Sequence, residues 1–442
     1  MGAGKSTIGR EVARQMQRPF VDTDEEIEAR FGPIADIFRE RGEPEFRRIE
    51  EQVVAEALAG PPAVIALGGG AVVSEITRDR LERSAFVHLV PVDVETAWGR
   101  IHNSGRPLAQ DRDAFQRLYE DRFEIYDVLA QGSGHTAEAV LLWALHIVFA
   151  STVAYDAAVI VDERVAALHE PPLLRAPLST HAVPSGEDAK TFAVVERLWH
   201  DLRIGRDGWI VAFGGGSTTD VAGFTAATYL RGVRWIAVPT TLVGMVDAAI
   251  GGKTGINTGD AKNLIGTFHF PWEVCLEPSF LATLPDEERH AGMAEVVKTG
   301  LLAGREVWTL PEVEMIRACA AFKAGVVLSD PYETEGRRTI LNLGHTFAHA
   351  LEAGSGYRVR HGDAVALGLL AAMRLSGQPT DVVDEILRPK PIAADPDAAW
   401  AALKRDKKGE GVFVLLERPG SPILTTVADA DARAALEALI AK

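Results

Sequence analysis

"GWIVAFGGGSTTDVAGFTAATYLRGVRWIAVPTT" (residues 208–241) decides the fold class. Two apolar strands bracket a glycine turn and a helix, with Gly214, Gly215 and Gly216 at the end of the first strand. A strand, a glycine turn and a helix in that order predict a parallel α/β sheet whose helix N-terminus accepts a phosphate on its free amides. The pattern is not G-x-G-x-x-G, so the usual dinucleotide fingerprint does not apply. Three glycines alone are weak evidence, because a triple glycine is often only a turn.

The flanking segments extend the α/β pattern. Upstream, "AYDAAVIVDERVAALH" (154–169) begins a strand-helix unit, and "VPSGEDAKTFAVVERLWHDL" (183–202) adds a polar loop and an amphipathic helix. Downstream, "VDAAIGGKTGINTGDAKNLIGTFHFP" (246–271) concentrates Asp247, Lys253, Lys262 and Asn263 between glycines. Lysines so placed predict a loop that grips a phosphorylated or carboxylated substrate. "AGMAEVVKTG" (291–300) sets Glu295 and Lys298 one helical turn apart, and "NLGHTFAHALE" (342–352) with "RHGDAV" (360–365) supplies His345, His349 and His361. Histidines four apart share a helix face, which equally suits packed or capping side chains. A third histidine and Glu295 shift the balance toward a metal. Neutral imidazoles with one carboxylate suit zinc with open positions for substrate.

The N-terminal third carries a different set of motifs. "MGAGKST" (1–7) holds Gly2, Gly4, Lys5, Ser6 and Thr7 of a phosphate-binding loop. The full G-x-x-x-x-G-K-[ST] pattern would place its first glycine before Met1, and the loop normally follows a strand. That strand lies mid-sheet in such folds, so a chain starting at Met1 is expected to leave strands unpaired and phosphoryl transfer by this loop weak or absent. "RPFVDTDEEIEARFG" (18–32) is a short strand ending in Asp22 and Asp24, either of which serves magnesium through water. "GEPEFRRIEEQVV" (42–54) carries Arg47 and Glu50 on a helix, "AVIALGGGAVV" (63–73) runs a buried strand into Gly68, Gly69 and Gly70, and Arg106 and Arg122 follow.

Composition bounds the rest. The 442 residues, with 41 glycines, 23 prolines, 47% hydrophobic and 24% charged residues, predict a soluble globular α/β chain of two or three domains. A net charge of −16 disfavours nucleic acid and anionic membrane as partners, so anionic substrates need local cation clusters. Cys275 and Cys319 form no framework, which fits a reducing, cytoplasmic setting. The apolar stretch 139–154 is too short to span a bilayer and contains His146. It reads as a buried helix closing the first domain.

Taken in order, the P-loop, D-T-D, G-E-x-x-F-R-x-x-E, G-G-G and R-P-L resemble shikimate kinase over about 130 residues. The resemblance implies a nucleoside-monophosphate-kinase-like fold, MgATP as donor and the 3-hydroxyl of shikimate as acceptor. Lys5 and the loop amides of Gly2, Gly4 and Thr7 would hold phosphates, and Ser6 and Asp22 would serve magnesium. Asp24, as catalytic residue, with Arg47, Gly69 and Arg122 would grip shikimate, and Arg106 would be the lid arginine.

In the remainder, P-S-G-E-D-A-K, G-G-G-x-x-x-D-x-x-G-F, R-G-V, P-T-T-L, G-G-K-T, K-N-L-I-G, A-E-V-V-K, L-N-L-G-H-T-F-x-H-A-x-E, H-G-D-A-V and D-K-K resemble 3-dehydroquinate synthase over nearly all of 155–420. That resemblance implies an NAD-binding α/β half over 155–270 and a helical half over 271–442, after a kinase-like domain over 1–130 and a closing helix or linker over 131–154. It implies DAHP, a seven-carbon sugar-acid phosphate, as substrate, with NAD and zinc or cobalt. Glu295, His345 and His361 would be the metal ligands. NAD would be held by Asp162, Glu187, Lys190, Gly215, Gly216, Asp220, Thr240, Thr241, Thr283 and Glu288, with Asp247 and Lys262 at cofactor or substrate. Arg231, Lys253, Asn263, Lys298, Lys323, Arg338, Asn342, His349 and Lys407 would meet substrate. Of these, His349, Lys298, Lys253, Asn263 and Arg338 are the catalytic candidates. The resemblance leaves room for a homodimer through the synthase domain.

Departures accompany the match. Ala248 and Ala249 stand where the family shows serines, one extra residue before the "RR" pair leaves Arg337 as the rival of Arg338, and the synthase's first strand is not visible before Tyr155. Two alternatives remain: a degenerate P-loop module that only binds nucleotide beside an active synthase, and an NAD-dependent metal alcohol dehydrogenase, for which so many lysines have no use.

Overall fold

The computed structural model describes residues 2–102, 111–150, 152–259, 261–406 and 411–441. The chain divides into two compact units, Met1–Leu145 and His146–Lys442.

The first unit alternates strands and helices: α1 (Lys5–Gln15), β1 (Phe20–Asp22), α2 (Thr23–Phe31), α3 (Ile34–Ala59), β2 (Val64–Ala66), α4 (Glu75–Ser84), β3 (His88–Leu89), α5 (Val94–Ile101), α6 (Arg112–Leu129), β4 (Gly132–Ser133) and α7 (Ala137–Ala144). Among the described residues its strands form two separate parallel pairs, β1 with β2 and β3 with β4. Ile27, Ile37, Phe46, Ile49 and Val53 build the apolar contact between α2 and α3. Inside α3, Gly42 takes a positive φ of 80°, which frees the chain to kink ahead of Pro44.

The second unit is organised by a six-stranded parallel sheet. Its strands are β5 (Ile147–Val148), β6 (Ala157–Asp162), β7 (Ser179–Val183), β8 (Trp209–Gly214), β9 (Arg234–Pro239) and, after the hairpin β10 (Lys253–Thr258) and β11 (Ala261–Phe268), β12 (Glu273–Cys275). The order is β5-β12-β9-β8-β6-β7, and every residue of β6 is buried, as a strand covered on both faces requires. Helices α8 (Glu163–Ala166), α9 (Phe192–Asp201) and α10 (Gly216–Thr228) belong to this half. Beyond it lie α11 (Asp286–Ala303), α12 (Glu312–Ser329), α13 (His345–Gly354), α14 (His361–Leu375), α15 (Pro396–Asp406), the antiparallel pair β13 (Val412–Arg418) and β14 (Ser421–Thr426), and α16 (Asp429–Glu437). Phe347, Leu351, Leu369 and Leu415 are among the residues of their common core.

Three details differ from the sequence reading. The closing helix expected within 131–154 ends at Ala144, and Ile147–Val148 pairs with β12 as the edge strand of the second unit's sheet. A continuous apolar run hides such a change of period, and the break falls at His146, whose φ is 51°. The helical half does not begin at 271, because β12 completes the sheet. The lysine-rich stretch is an antiparallel hairpin rather than a loop, with Gly255 opposite Gly266. A Cβ on Gly266 would stand 2.4 Å from the Thr254 carbonyl oxygen, so the glycines that suggest a loop are what lets the two backbones approach.

Candidate active sites

In the first unit, Gly4 takes a left-handed φ of 84° and caps α1, leaving the first amides of an eleven-residue helix without intrahelical partners. Ser6 Oγ donates to Asp22 Oδ2 at 2.5 Å. Asp22 also caps α2 by accepting from the Asp24 amide at 3.0 Å. Loop and carboxylate are therefore fixed to one another. Arg106 lies outside the described residues.

A second cluster of this unit surrounds the glycine run. Arg47 Nη1 pairs with Glu50 Oε2 at 2.6 Å, and Glu50 is buried. A Cβ on Gly68 would meet Asp24 Oδ1 at 2.5 Å and Glu50 Oε1 at 2.7 Å, and one on Gly70 would overlap the Arg47 guanidinium. A side chain at either glycine would displace these charged groups from their present positions. Burial pushes the Glu50 carboxyl up, and Arg47 offsets part of that rise. Tyr126 Oη donates to the Gly69 carbonyl at 2.6 Å, and Arg122, buried one turn before it on α6, leaves Nε without a partner. The structure thus brings Asp24, Arg47, Gly69 and Arg122 together. Sequence reasoning named Glu50, in the G-E-x-x-F-R-x-x-E motif, without giving it a role, and left out Tyr126.

In the second unit, the C-terminal ends of β6, β8 and β9 meet the N-terminus of α10. Asp162 caps α8 and accepts from Ser185 Oγ at 2.7 Å. A Cβ on Gly214 would touch Thr218 and Asp162, and one on Gly215 would touch Thr241. Thr218 Oγ1 and Thr240 Oγ1 are buried without hydrogen-bond partners. This crevice at the carboxyl ends of parallel strands, with free helix amides and orphan hydroxyls, suits a dinucleotide. Ala248 faces Gly216, so the hydroxyl missing relative to the family is missing from this crevice. Nearby, Glu187 accepts from Asn257 Nδ2 at 2.8 Å, and Lys190 pairs with Asp220 at 2.6 Å and with Asn263. Thr283 Oγ1 lies 2.7 Å from His169 Nε2, whereas Glu288, Arg231 and Asn342 stand exposed.

A dense polar cluster lies among α11, α13 and α14. Glu295, His345 and His361 each offer one ligand atom, and the three atoms lie within 4.8 Å of one another. Glu295 Oε1 is buried, accepts no hydrogen bond of good geometry, and stands 3.5 Å from His345 Nε2 and 3.9 Å from His361 Nε2. Each histidine is held at its other nitrogen, His345 Nδ1 by the Leu343 carbonyl at 3.3 Å and His361 Nδ1 by Glu352 Oε1 at 3.2 Å. With Nδ1 donating, each ring in its neutral form keeps a lone pair on Nε2, the atom near the buried Glu295 oxygen, and such a set fits a divalent cation with open positions. Burial and the Lys298 charge push His345 down, which keeps its imidazole neutral. Burial would raise Glu295, but the Lys298 charge holds it well below the usual carboxylate range.

Cations line the same region. Lys298 pairs with Glu295 and lies 4.0 Å from Asp247, and Lys323 pairs with Asp247 as well. Asp247 sits on a π-helical turn, Gly244–Ala248, a local distortion common at functional sites. Arg338 is buried, donating to the Gly251 and Pro331 carbonyls, whereas Arg337 pairs with Glu335, partly exposed. Lys253 pairs with Glu333 at 2.6 Å. His349 is half exposed, its ring 5.7 Å from that of His345 and its Nδ1 3.9 Å from Asp406. Lys407 lies outside the described residues. Glu352, missed in the sequence reading, is the final residue of the histidine motif.

Known protein families match both parts of the chain. The family model described as shikimate kinase matches residues 1–141, and those of the N-terminal and C-terminal domains of 3-dehydroquinate synthase match 180–291 and 292–408. A 3-dehydroquinate synthase of Salinibacter ruber is 40% identical over 314 residues, covering 62% of this chain and 85% of its own. A bifunctional shikimate kinase/3-dehydroquinate synthase of Thermotoga maritima is 33% identical over 410 residues, covering 84% and 82%. A 2-deoxy-scyllo-inosose synthase crystallised with carbaglucose-6-phosphate, NAD+ and Co2+ superposes with a TM-score of 0.55 at 25% identity, over 64% of this chain and 91% of its own. A 2-epi-5-epi-valiolone synthase of Streptomyces hygroscopicus shares the fold, with a TM-score of 0.56 at 23% identity, over 66% and 97%. No described helix is long and apolar enough to cross a membrane. By these matches the chain belongs to the bifunctional shikimate kinase/3-dehydroquinate synthases.

Proposed function

We propose that the second unit converts DAHP to 3-dehydroquinate and inorganic phosphate, and that the first unit phosphorylates shikimate from MgATP. The kinase match over residues 1–141 does not favour the alternative of a module that only binds nucleotide. The observation that carries the synthase reading is the Glu295–His345–His361 cluster set against Lys298, Lys323 and Asp247.

Glu295, His345 and His361 hold zinc or cobalt, which supplies a Lewis acid for a substrate oxygen. Asp162, Gly215, Gly216, Thr240, Thr241 and the α10 N-terminus would hold NAD, with Glu187, Lys190, Asp220, Thr283 and Glu288 around it, and the cofactor would supply a reversible hydride store. The chain's own residues do the rest. Lys253, Lys262, Asn263, Lys298, Lys323, Arg231, Arg338, Asn342 and Lys407 meet the substrate's carboxylate, hydroxyls and phosphate. Asp247 holds two of those ammonium groups in place and compensates their burial. His349, half exposed beside His345, carries a proton between solvent and substrate.

In the first unit, Lys5 and the amides of Gly2, Gly4 and Thr7 cradle phosphates, and Ser6 with Asp22 serves magnesium. Asp24 orients the acceptor hydroxyl, while Arg47 and Arg122 grip the carboxylate of shikimate, with Gly69 in the same pocket. Such chemistry is mainly positioning and charge stabilisation. We place the kinase over residues 1–145, the NAD-binding half over 146–291 and the metal-binding half beyond it.

Metal content separates ligand from catalyst. His345→Ala and His361→Ala are expected to lose both bound metal and synthase turnover, whereas His349→Ala keeps the metal and loses rate. Undiminished zinc binding in His345→Ala or His361→Ala defeats the assignment.

A further inference from the structure

We propose that Glu352 is a positioning residue that joins the metal ligand His361 to Lys262 of the β10–β11 hairpin through a single carboxylate oxygen. Glu352 Oε1 accepts from His361 Nδ1 at 3.2 Å and from Lys262 Nζ at 3.3 Å. The two donors come from α14 and from β11, 99 residues apart in sequence. Glu352 itself is 3% exposed and lies two helical turns after His345, on the same face of α13.

The consequences follow from the donor inventory. A neutral imidazole carries one proton, and an acceptor at Nδ1 fixes it there, leaving the Nε2 lone pair free for a cation. The same oxygen draws the Lys262 ammonium down from a hairpin whose outer strand is largely exposed, and the Tyr357 ring, 5.1 Å from Nζ, supports it from a second side. A cation bound at Nε2 polarises the Nδ1–H bond and so changes how much of the Glu352 charge remains for Lys262. The hairpin therefore senses whether the three-residue centre is loaded. Coupling of this kind is reciprocal by thermodynamic necessity.

This inference rests on the metal reading of Glu295, His345 and His361, and the test separates the two. Zinc affinity is measured by competition with a chromophoric chelator, and hydrogen exchange of amides 261–268 is compared in chelator-treated and zinc-loaded full-length protein. The wild type is expected to show a zinc-dependent change of exchange in that strand. Glu352→Gln, close to isosteric, is expected to bind zinc about 10–100-fold more weakly, the usual effect of losing such a support, and to lose the exchange response when zinc is saturating. Lys262→Met is expected to shift zinc affinity by no more than about threefold, the reciprocal of a weak coupling reached only through Glu352, and also to lose the response. Wild-type affinity in Glu352→Gln, or a zinc-dependent response that survives in either variant, overturns the proposal. Should Glu352→Gln fail to fold, Lys262→Met decides alone. His345→Ala is the control: retention of zinc there overturns the metal reading, while loss of zinc there with wild-type behaviour of Glu352→Gln overturns only the role of Glu352.

Discussion

Gly362→Ala is the smallest change that should take the metal centre apart. Gly362 follows His361 in α14 and lies against Ala291 of α11, one turn before Glu295. A Cβ at Gly362 would stand 2.2 Å from Ala291 Cα and 2.4 Å from Ala291 Cβ. Carbon atoms in contact sit about 3.5 Å apart, so the start of α14 must retreat by roughly 3.5 − 2.2, or about 1.3 Å, from the 2.2 Å approach. Overpacking of this kind typically costs about 1–3 kcal/mol. The metal suffers more, because ligand distances tolerate only about 0.2 Å. His361 moves with the helix and Glu295 does not. Titration of the chelator-treated protein with Co2+, followed by calorimetry and by the visible absorption of the bound ion, should show affinity at least about a hundredfold weaker, as for the loss of a ligand or its support. Gly356→Ala is the control. Its φ is +63° with nothing within 4 Å of the new Cβ, so it carries only left-handed strain of about 1–2 kcal/mol and should keep wild-type Co2+ affinity. Wild-type affinity in Gly362→Ala would refute the claim that the α11–α14 approach sets the ligand geometry.

Two further outcomes test other parts of the account. Lys5→Met should lower shikimate-dependent ADP release from ATP by at least about a hundredfold, the scale for losing one charge-stabilising group, and equal rates in the two proteins would remove the first unit's phosphate loop from the chemistry. Burial pushes the Cys319 thiol up to about 12, with the Glu295 charge adding to the rise. A thiol raised on folding contributes stability that is fully present below its unfolded value, about 8.5, and is lost as pH rises toward 12. The urea midpoint of the second unit should fall between pH 7.5 and 9.5 by less in Cys319→Ala than in the wild type, and identical slopes would contradict the assignment.

What the sequence made legible depended on how local the cause was. The strand-turn-helix at 208–241 was readable because apolar runs, glycines and helix spacing all agree over one short segment. A metal was readable from the histidines and Glu295, but which residues ligate it was readable only through a motif resemblance, because Glu295, His345 and His361 come from three helices and their spacing carries no distance. Glu352, Glu50 and Tyr126 were not assigned, since each acts on another residue rather than on a ligand, and their partners are set by tertiary packing. The β10–β11 hairpin was hidden by its own glycines, which permit close backbone approach instead of irregular structure. The edge strand at Ile147–Val148 was hidden in an apolar run, where a buried strand of two residues and the end of a helix have the same composition.

The most direct test of the central claim is a single reaction with DAHP, NAD and zinc in which phosphate, 3-dehydroquinate and NADH are all followed. The account predicts phosphate and 3-dehydroquinate in equal amounts over many turnovers, no build-up of NADH, and loss of both products when zinc is chelated or NAD is omitted. NADH accumulating in step with product would contradict it, and would mean that the site oxidises its substrate without returning the hydride.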